Sequence, residues 1–387
     1  MTSGVEQQRA LLRDSVAQLC KKYDRNYWKR CIAEDRWVDD MWHEMGELGL
    51  LGLTVPETYG GSGGGMTELA LVMEELARHG TATLLLVVTG LSRIPILKYG
   101  TEEQRRRFLP KTATGELKLC FAITEPNAGT NTFKIETLAT PQPDGSYCLT
   151  GQKIFISDIH VSDYALVVAR TTPYQQVSDR RMGLTLFLVD LHSPGIEMRP
   201  LNIGLEEPDK QFHVFFNDVP VPAENRLGEE GMGIRYLFDG LNPERQIGAA
   251  SAIGSGYLAL EKGVAYAKQR VVFGEDPIGH YQALQHPMAM ARARLDAARL
   301  MLYRATERFD AGESAAVESN MAKLLASEAA FDAWDIVLQA HGGYGFDRDY
   351  EILQGWQASR LGKTAPVNNQ MILNFIGEHV LGLPKSY

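Results

Sequence analysis

The spacing of hydrophobic residues is helical over the first third of the chain. In residues 42–52 (WHEMGELGLLG) the apolar side chains recur in steps of three, which places them on one face of a helix. Residues 66–79 alternate Leu, Val and Met with Glu and Arg at a similar period. Residues 101–104 (Thr-Glu-Glu-Gln) have the capping-box pattern of a helix start. The pattern therefore predicts helices over 5–116, interrupted by a loop rich in glycine at 54–65.

Short apolar runs of a different kind begin near residue 117. They are rich in Val, Ile, Phe, Leu and Tyr, and turn sequences such as Pro-Asp-Gly-Ser and Ser-Pro-Gly separate them. The six runs are 117–124, 146–157, 163–171, 182–191, 196–203 and 213–222. Their lengths and separations predict antiparallel strands arranged in a β-sandwich or barrel.

Helical spacing returns after Gly231 and persists to Val380. Within this region the segment Asn242-Pro243-Glu244 predicts a helix start, because Asn is a common cap and Pro is favoured at the first helical position. The two changes of period predict an α+β multidomain chain. Its predicted parts are an N-terminal α-helical domain over 1–116, a central β domain over 117–228 and a C-terminal helical domain over 229–387.

Composition and charge limit the classes of partner. The chain has 387 residues, of which 44% are hydrophobic and 22% charged, as in ordinary globular proteins. Its net charge is −9 and no run of more than three consecutive Lys or Arg residues is present, which argues against nucleic acid and anionic membrane surfaces as partners. The longest apolar runs, 84–88 and 184–189, are much shorter than a membrane-spanning segment.

The cysteines and the N-terminal residues predict a cytoplasmic location. Cys20, Cys31, Cys120 and Cys148 are dispersed, without a CxxC pair or the spacing of metal ligands. This distribution is typical of free thiols in a reducing compartment. The first ten residues, MTSGVEQQRA, lack the apolar segment of a signal peptide. No metal site is predicted.

Three short segments carry candidate cofactor chemistry, and each has a structural alternative. Phe155 and Ser157 can stack on and hydrogen bond a flavin ring, or they can fill the core. The turn around Gly129 can offer N–H groups to a polar ring edge, or it can be an ordinary turn. Arg270 and Phe273 can bind a pyrophosphate and an adenine, or Arg270 can simply complement a helix C-terminus. Without a catalytic His, Cys or metal, such an array favours a cofactor that performs the difficult chemistry.

Taken together, these segments resemble the acyl-CoA dehydrogenase family of flavoproteins. The resemblance runs from about residue 5 to Tyr387, and six blocks carry it: LGLLGLTVPETYGGSGGG, ITEPNAGT, LTGQKIFIS, RVVFGEDPIG, QALQH and LQAHGGYGF. It implies a helical domain, a β domain and a C-terminal four-helix bundle. It also implies bound FAD, a role in fatty acid metabolism and a homotetramer built as a dimer of dimers.

The resemblance assigns FAD contacts position by position. Those at the isoalloxazine and its pyrimidine edge are Phe121, Ile123, Thr124 and Thr130. Those near the reactive N5 atom are Phe155 and Ser157. Those at the pyrophosphate and adenosine half are Arg270, Phe273 and Gln282, and those from the neighbouring subunit are Gln339, Gly342 and Gly343. Those at the adenine end are Asn368 and Gln370. The substrate contacts that it implies are Thr130, Asn242 and Arg245.

The position of the catalytic base follows from the same resemblance. Members of the family oxidise an acyl thioester at Cα–Cβ, with a carboxylate that takes the α-proton while the β-hydride goes to flavin N5. Most members carry this glutamate in a C-terminal loop, where the present chain has Pro366. A minority, including isovaleryl- and long-chain acyl-CoA dehydrogenases, carry it on a bundle helix in a Leu-x-x-Glu-Arg pattern. That pattern occurs at Leu241–Arg245 and assigns the base to Glu244.

Alternatives to these assignments remain at the sequence level. In the predicted first turn of a helix, Glu244 can instead complement the helix dipole. An electron-transfer flavoprotein is the expected electron acceptor, whereas a flavin oxidase or monooxygenase would use oxygen directly. The thioester can be carried on CoA or on an acyl-carrier protein. A flavin-binding relative without turnover, like the DNA-associated members, is the remaining possibility, and the net charge of −9 argues against it.

Overall fold

The computed structural model describes residues 4–386 and divides into two compact units. Within the described residues, the bundle unit comprises 4–30, 65–82 and 245–386, and the sheet unit comprises Cys31–Gly64 and Thr83–Glu244. The helices are α1 (Gly4–Lys22), α2 (Arg25–Ala33), α3 (Asp39–Glu47), α4 (Met66–Arg78), α5 (Leu84–Tyr99), α6 (Glu102–Thr114), α7 (Gly233–Gln269), α8 (Gln282–Asp310), α9 (Ala316–His341), α10 (Ile352–Gly362) and α11 (Asn369–His379). The strands are β1 (Leu119–Ala122), β2 (Leu138–Pro141), β3 (Tyr147–Ser157), β4 (Tyr164–Arg170), β5 (Leu184–Asp190), β6 (Ile196–Pro200), β7 (Gln211–Val221) and β8 (Arg226–Leu227).

The order of helices, strands and helices along the chain confirms the predicted α+β class. The capping box at the start of α6 is also confirmed, because Thr101 Oγ1 accepts from the Gln104 N–H while the Gln104 side chain accepts from the Thr101 N–H. Helix α3 ends at Glu47, and Gly49 just after it has a φ of +71°, which glycine adopts without strain.

The strands form one sheet in the order β6-β7-β3-β2-β4-β5-β8, with β1 paired to β4. Most pairs are antiparallel as predicted, but β1 and β2 each run parallel to β4. Strands β4 and β5 are buried along almost their whole length, so they read as continuous apolar runs rather than as alternating ones. The core of the sheet unit also includes side chains from α5, α6 and the first turns of α7.

The bundle unit is held by helix contacts around α8 and α9. Helix α8 packs on α9, α9 contacts α10 and α11, and α4 packs on α1 and α8. Helices α7 and α4 approach so closely that a Cβ at Gly254 would lie 2.1 Å from the carbonyl oxygen of Glu74. Any side chain at position 254 would therefore force the two backbones apart.

The predicted helix start at Asn242-Pro243-Glu244 is wrong. Helix α7 begins at Gly233 and runs through Pro243 without a break. The residues before the proline decide this, because Ile234, Tyr236 and Leu237 are buried in the core of the sheet unit. Packing of this first stretch outweighs the one backbone hydrogen bond that Pro243 cannot donate. Glu244 consequently lies inside a long helix and has no dipole-complementing role in a first turn.

Candidate active site

The loop that follows β1 contains the segment ITEPNAGT and is closed on itself. The Glu125 N–H donates to the Ala128 carbonyl and the Ala128 N–H donates back to Glu125. The carbonyl of Thr124 accepts from the Ile154 N–H at 2.9 Å, which ties the loop to β3. Gly129 is exposed, and no atom lies within 4 Å of the position that its Cβ would occupy. The backbone at Gly129 is thus open to a close approach by a ligand.

A buried ion pair anchors this loop to β3. Lys153 is fully buried, and its Nζ donates to Glu125 Oε1 at 2.8 Å and to the carbonyl of Ile123 at 2.9 Å. Glu125 also accepts from the N–H groups of Glu136 and Thr137, at 2.7 and 3.0 Å. The pair therefore fixes both the start of the loop and the segment that follows it.

The electrostatics of this pair favour the ionised form of the carboxylate. Burial alone would raise the pKa of Glu125, but the charge of Lys153 and the hydrogen bonds to this carboxylate hold its pKa below the ordinary value. Burial lowers the pKa of Lys153 to about 8, although the charge of Glu125 opposes that change. Neither Glu125 nor Lys153 was recognised from the sequence. The available signal was a lysine within an otherwise apolar strand, a residue type that is rarely buried without a partner.

Strand β3 is distorted at the two residues expected near the reactive end of the flavin. The pairing of β3 with β7 is irregular between Lys153 and Ile156, and Phe155 has a φ of +57°. A non-glycine residue in this region is strained by about 1–3 kcal/mol, and such strain concentrates at functional sites. The ring of Phe155 is 58% exposed. The distortion therefore leaves an aromatic surface open at the end of the sheet.

The hydroxyl group of Ser157 is oriented so that it can donate a hydrogen bond. Its Oγ accepts a hydrogen bond from the Gln211 side-chain amide at 2.7 Å, so the hydroxyl proton is directed to another acceptor. Ser157 and Gln211 also pair across β3 and β7. Gln211 is a further residue that the sequence analysis did not identify, because its partner lies on a distant strand.

The remaining residues predicted on this unit are in or beside the same strands and α7. Phe121 is buried on β1, Thr124 is half-buried and Thr130 is exposed. Asn242 and Glu244 lie on α7 and are half-buried.

The bundle unit contains the loop around Pro366, the position at which the family resemblance implies a glutamate base in most members. Lys323 on α9 is buried, and its Nζ donates to the Val367 carbonyl and to Asn369 Oδ1, both at 2.7 Å. Pro366 lies next to α7, since a Cβ at Gly248 would be 3.6 Å from the Pro366 Cδ. The loop is thus held against the helix turn that begins at Arg245.

Arg245 lies close enough to Lys323 to affect its protonation. Burial is the larger cause that lowers the pKa of Lys323, to about 8, and the charge of Arg245 lowers it as well. Lys323 was not identified from the sequence, although a lysine on the buried face of α9 is a comparable signal to Lys153.

The predicted adenosine-half residues lie around the C-terminal end of α7. Arg270 follows the last residue of α7, and its guanidinium lies over the Tyr344 ring at 5.8 Å. This contact joins Arg270 to the turn over Gly342–Phe346, which contains Gly342 and Gly343. Phe273 is 79% exposed, and Gln282 is exposed at the start of α8.

The two predicted glycines of that turn fit a close contact with a ligand. Gly342 has a φ of +55°, which accounts for its identity. Gly343 has no atom within 4 Å of the position of a Cβ, so packing does not require a glycine there. Gln339 is exposed at the end of α9. Asn368 caps α11 by accepting from the Met371 N–H at 2.9 Å, and Gln370 is exposed in its first turn.

The observed residues fit FAD. The sheet unit offers an exposed aromatic ring, a hydroxyl donor and an open backbone turn, and the bundle unit offers an exposed arginine and two accessible glycines. Across residues 4–386, no three His, Cys, Asp or Glu side chains are grouped so that they could hold a metal ion. None of the helices in the same residues combines the length and the apolar character that crossing a membrane requires.

Comparison with known proteins decides the family. Family models match the chain over 6–116 (acyl-CoA dehydrogenase, N-terminal domain), 120–219 (middle domain) and 231–381 (C-terminal domain). Acyl-CoA dehydrogenase FadE12 of Mycobacterium tuberculosis is 41% identical over an alignment of 391 positions, which covers 100% of this chain and 99% of the relative. The chain belongs to the acyl-CoA dehydrogenase family.

Solved structures of acyl-CoA dehydrogenase relatives agree with this. Butyryl-CoA dehydrogenase from Megasphaera elsdenii superimposes with a TM-score of 0.88 at 30% identity, over 98% of this chain and 99% of that one. The structure of PigA with FAD and proline superimposes with a TM-score of 0.90 at 26% identity, over 99% and 100% of the two chains. The predicted three-part acyl-CoA dehydrogenase fold, the oxidoreductase class and the FAD cofactor are confirmed.

Proposed function

We propose that this acyl-CoA dehydrogenase converts an acyl-CoA thioester to the trans-2-enoyl-CoA, with Glu244 as the base. In this reaction the Glu244 carboxylate takes the α-proton of the substrate. Bound FAD supplies the acceptor for the β-hydride at its N5 atom. Glu244 belongs to the Leu-x-x-Glu-Arg segment of the subgroup whose base lies on a bundle helix.

The observation that carries this proposal is the placement of Pro366. The loop position that holds a glutamate in most relatives has a proline here, and this proline lies beside Gly248 on α7. Gly248 follows Glu244 by one helical turn, so the two positions share one face of the uninterrupted α7. A carboxylate at position 244 is therefore our candidate for the role that the loop glutamate has in most relatives.

Other residues of the chain bind and orient the reactants in this proposal. Ser157 would donate a hydrogen bond to the flavin near N5, and Phe155 would lie near the same atom. Phe121, Ile123, Thr124 and Thr130 would line the isoalloxazine and its pyrimidine edge. Arg270, Phe273 and Gln282 bind the pyrophosphate and adenosine half, and the remaining contacts come from Gln339, Gly342, Gly343, Asn368 and Gln370. Arg245 orients Glu244, and Asn242 and Thr130 contact the substrate.

The base is tested by the Glu244→Gln variant. The amide cannot accept the α-proton, so loss of general-base catalysis is expected to slow turnover about 10²–10⁴-fold. The flavin absorption spectrum reports retention of FAD, and anaerobic addition of short-, branched- and long-chain acyl-CoA reports bleaching of the flavin band. Glu261→Gln is the matched control, because Glu261 lies on the same helix and pairs with Arg78 at the surface. Bleaching of Glu244→Gln at the wild-type rate would contradict the assignment.

The electron acceptor and the carrier of the thioester are tested separately. We propose an electron-transfer flavoprotein as the acceptor, on the basis of the family resemblance. Slow reoxidation of substrate-reduced enzyme by air supports this partner, whereas fast reoxidation indicates an oxidase or monooxygenase. Bleaching by acyl-carrier-protein thioesters but not by acyl-CoA would assign the carrier-bound substrate instead.

We further propose a homotetramer in the cytoplasm. Large apolar side chains on the bundle unit are exposed, including Phe273 at 79%, Leu300 at 76% and Phe346 at 64%, and such surfaces commonly mark subunit contacts. Cys20, Cys31, Cys120 and Cys148 are all free thiols, as expected in a reducing compartment. Light scattering of the purified holoenzyme measures the subunit number, and a mass of one or two subunits would contradict the tetramer.

A further inference from the structure

A buried carboxyl group, that of Asp158, and a half-buried one, that of Asp209, lie beside each other where β3 ends and the loop before β7 begins. Asp158 follows the last residue of β3, is fully buried and has a φ of +54°. Its backbone N–H donates to the Lys210 carbonyl at 2.9 Å, and its Oδ1 accepts from the Lys210 N–H at 2.9 Å. Its Oδ2 is buried and receives no N–H or hydroxyl donor from the described residues. Asp209 directly precedes Lys210 in the chain, and its carboxyl lies beside that of Asp158.

The hydrogen-bond donors around the two carboxyls differ in number. Asp209 Oδ1 accepts from Trp37 Nε1 at 3.1 Å and from Thr83 Oγ1 at 2.8 Å, and its Oδ2 accepts from the Leu84 N–H at 2.8 Å. Three donors on one carboxylate stabilise its negative charge. Two ionised carboxylates in contact repel each other, and a proton shared between them relieves this repulsion. Asp158 Oδ2 is the position for that proton, because this atom accepts no hydrogen bond from the described residues.

The protonation behaviour of Asp158 agrees with this geometry. Burial is the main cause that raises the pKa of Asp158 well above its ordinary value, and the charge of Asp209 and the hydrogen bond with it raise the pKa further. The N–H of Lys210 acts in the opposite direction and is outweighed.

The neighbouring ionisable groups do not supply another proton donor to Asp158. The ammonium group of Lys210 pairs with Asp35 at the surface. Burial raises the pKa of the Cys120 thiol on β1 to about 12, so this thiol is neutral. Burial, followed by the charge of Lys210, lowers the pKa of His160, whereas Asp209, Asp35 and Asp39 act in the opposite direction. The His160 ring stacks on Phe212 at 4.7 Å.

The pair connects the flavin end of β3 with the start of α5. Asp158 directly follows Ser157, and Asp209 lies two residues before Gln211, whose side chain donates to the Ser157 hydroxyl. On its other side Asp209 binds the cap residue Thr83 and the first N–H of α5. A shared proton between the two aspartates therefore fastens the strand pair at the register Ser157–Gln211.

We propose that Asp158 is a positioning residue that donates a shared proton to Asp209 and thereby fixes Ser157 for its contact with the flavin. The positioning of Ser157 rests on the flavin contact proposed above, whereas the shared proton does not. Loss of this proton at alkaline pH leaves two carboxylates in contact, which separates the end of β3 from the loop before β7. The flavin environment and the stability of the holoenzyme then change together with pH.

The sign of the pH dependence follows from the direction of the shift. A carboxyl whose pKa is raised on folding contributes stability that is fully present below its ordinary pKa of about 4 and is lost as the pH rises through the folded-state pKa. Asp158→Asn replaces the protonated carboxyl by an amide of the same shape, which donates to Asp209 at every pH. The variant is therefore expected to remove this part of the pH dependence.

The experiment compares holoenzymes over pH 6–9 by three measurements: thermal unfolding, the flavin absorption spectrum and the infrared band of a protonated carboxylic acid. Wild type is expected to show the infrared band and a decline in stability and flavin retention as the pH rises. Asp158→Asn is expected to lack the band and to show a flat profile. Asp218→Asn is the matched control, because Asp218 also has a positive φ, at 52°, but lies exposed on β7. It is expected to follow wild type.

Asp158→Ala separates the two parts of the inference. It leaves Asp209 without the shared proton at every pH, and FAD binding is expected to weaken about tenfold or more at pH 7, the effect of a lost hydrogen bond to a charged group. If the infrared band is absent from wild type, or if it survives in Asp158→Asn, the shared proton is contradicted. If the band behaves as expected but Asp158→Ala keeps the wild-type flavin spectrum and FAD affinity, the positioning of Ser157 is contradicted. These readouts need no substrate, so they are independent of the test of Glu244 as the base.

Discussion

Removal of the positive charge at Lys153 is expected to unfold the loop that follows β1 in the sheet unit, which contains the segment ITEPNAGT. In Lys153→Met the Glu125 carboxylate stays buried, with only 6% of the residue exposed and only the two N–H donors of Glu136 and Thr137. The loop also loses its hydrogen bond to the Ile123 carbonyl. Breaking a buried ion pair by removal of one partner typically costs about 3–5 kcal/mol. With about 2–4 °C per kcal/mol for a domain of this size, the Tm is expected to fall by about 6–20 °C.

Substitution of the other partner, Glu125, is expected to lower the stability less than Lys153→Met does. This difference makes the prediction specific. In Glu125→Gln the remaining lysine can lose its proton at small cost, because burial already lowers the pKa of Lys153 to about 8. The double variant Glu125→Gln/Lys153→Met buries no charge, so it is expected to recover a large part of the stability lost in Lys153→Met. The free energy of unfolding is thus expected to be highest for wild type, lower for Glu125→Gln and the double variant, and lowest for Lys153→Met.

Thermal unfolding of the holoenzyme and retention of FAD after gel filtration measure both effects. Lys111→Met is the control, because Lys111 forms an exposed pair with Glu116 at 2.8 Å and such exposed pairs contribute little to stability. Additive effects of the two single substitutions in the double variant would refute the reasoning, since they would show that the buried charges do not stabilise each other.

Three further substitutions test other parts of the structure. The double variant Glu244→Gln/Pro366→Glu is expected to regain the acyl-CoA-dependent flavin bleaching that Glu244→Gln lacks, because position 366 lies beside α7 at Gly248. Equal inactivity of the two variants, with FAD bound, would contradict the expectation that a glutamate at position 366 can act as the base. Gly254→Val is expected to lower the Tm by several degrees, since its Cβ would meet the Glu74 carbonyl at 2.1 Å, whereas the exposed Gly312→Ala control tests only the effect of a positive φ. Arg170→Met is expected to cost about 3 kcal/mol or more in urea unfolding, because the buried guanidinium donates to the carbonyls of Phe133, Ile135, Thr172 and Met182; a loss below about 1 kcal/mol would mean that these carbonyls find other donors.

Local sequence signals predicted the elements whose stability is local. The Thr101–Gln104 capping box depends on side chains within a few residues of each other, and it is observed. The helix start at Asn242 is also a local signal, and it failed because burial of Ile234, Tyr236 and Leu237 extends α7 past the proline. Propensity at one residue is worth about 1–3 kcal/mol, which tertiary burial of three large side chains exceeds.

The sequence by itself determined the order of helical and β regions, the family and, through the family, the FAD cofactor. These properties depend on periodicity and on short blocks of adjacent residues. The tertiary structure alone decided that Lys153 meets Glu125, that Asp158 meets Asp209 and that Pro366 lies against α7 at Gly248. Each of these contacts joins residues far apart along the chain, and burial makes it important because a buried polar or charged group without its partner is costly. Spacing along a single sequence carries no record of which buried group a distant residue will meet.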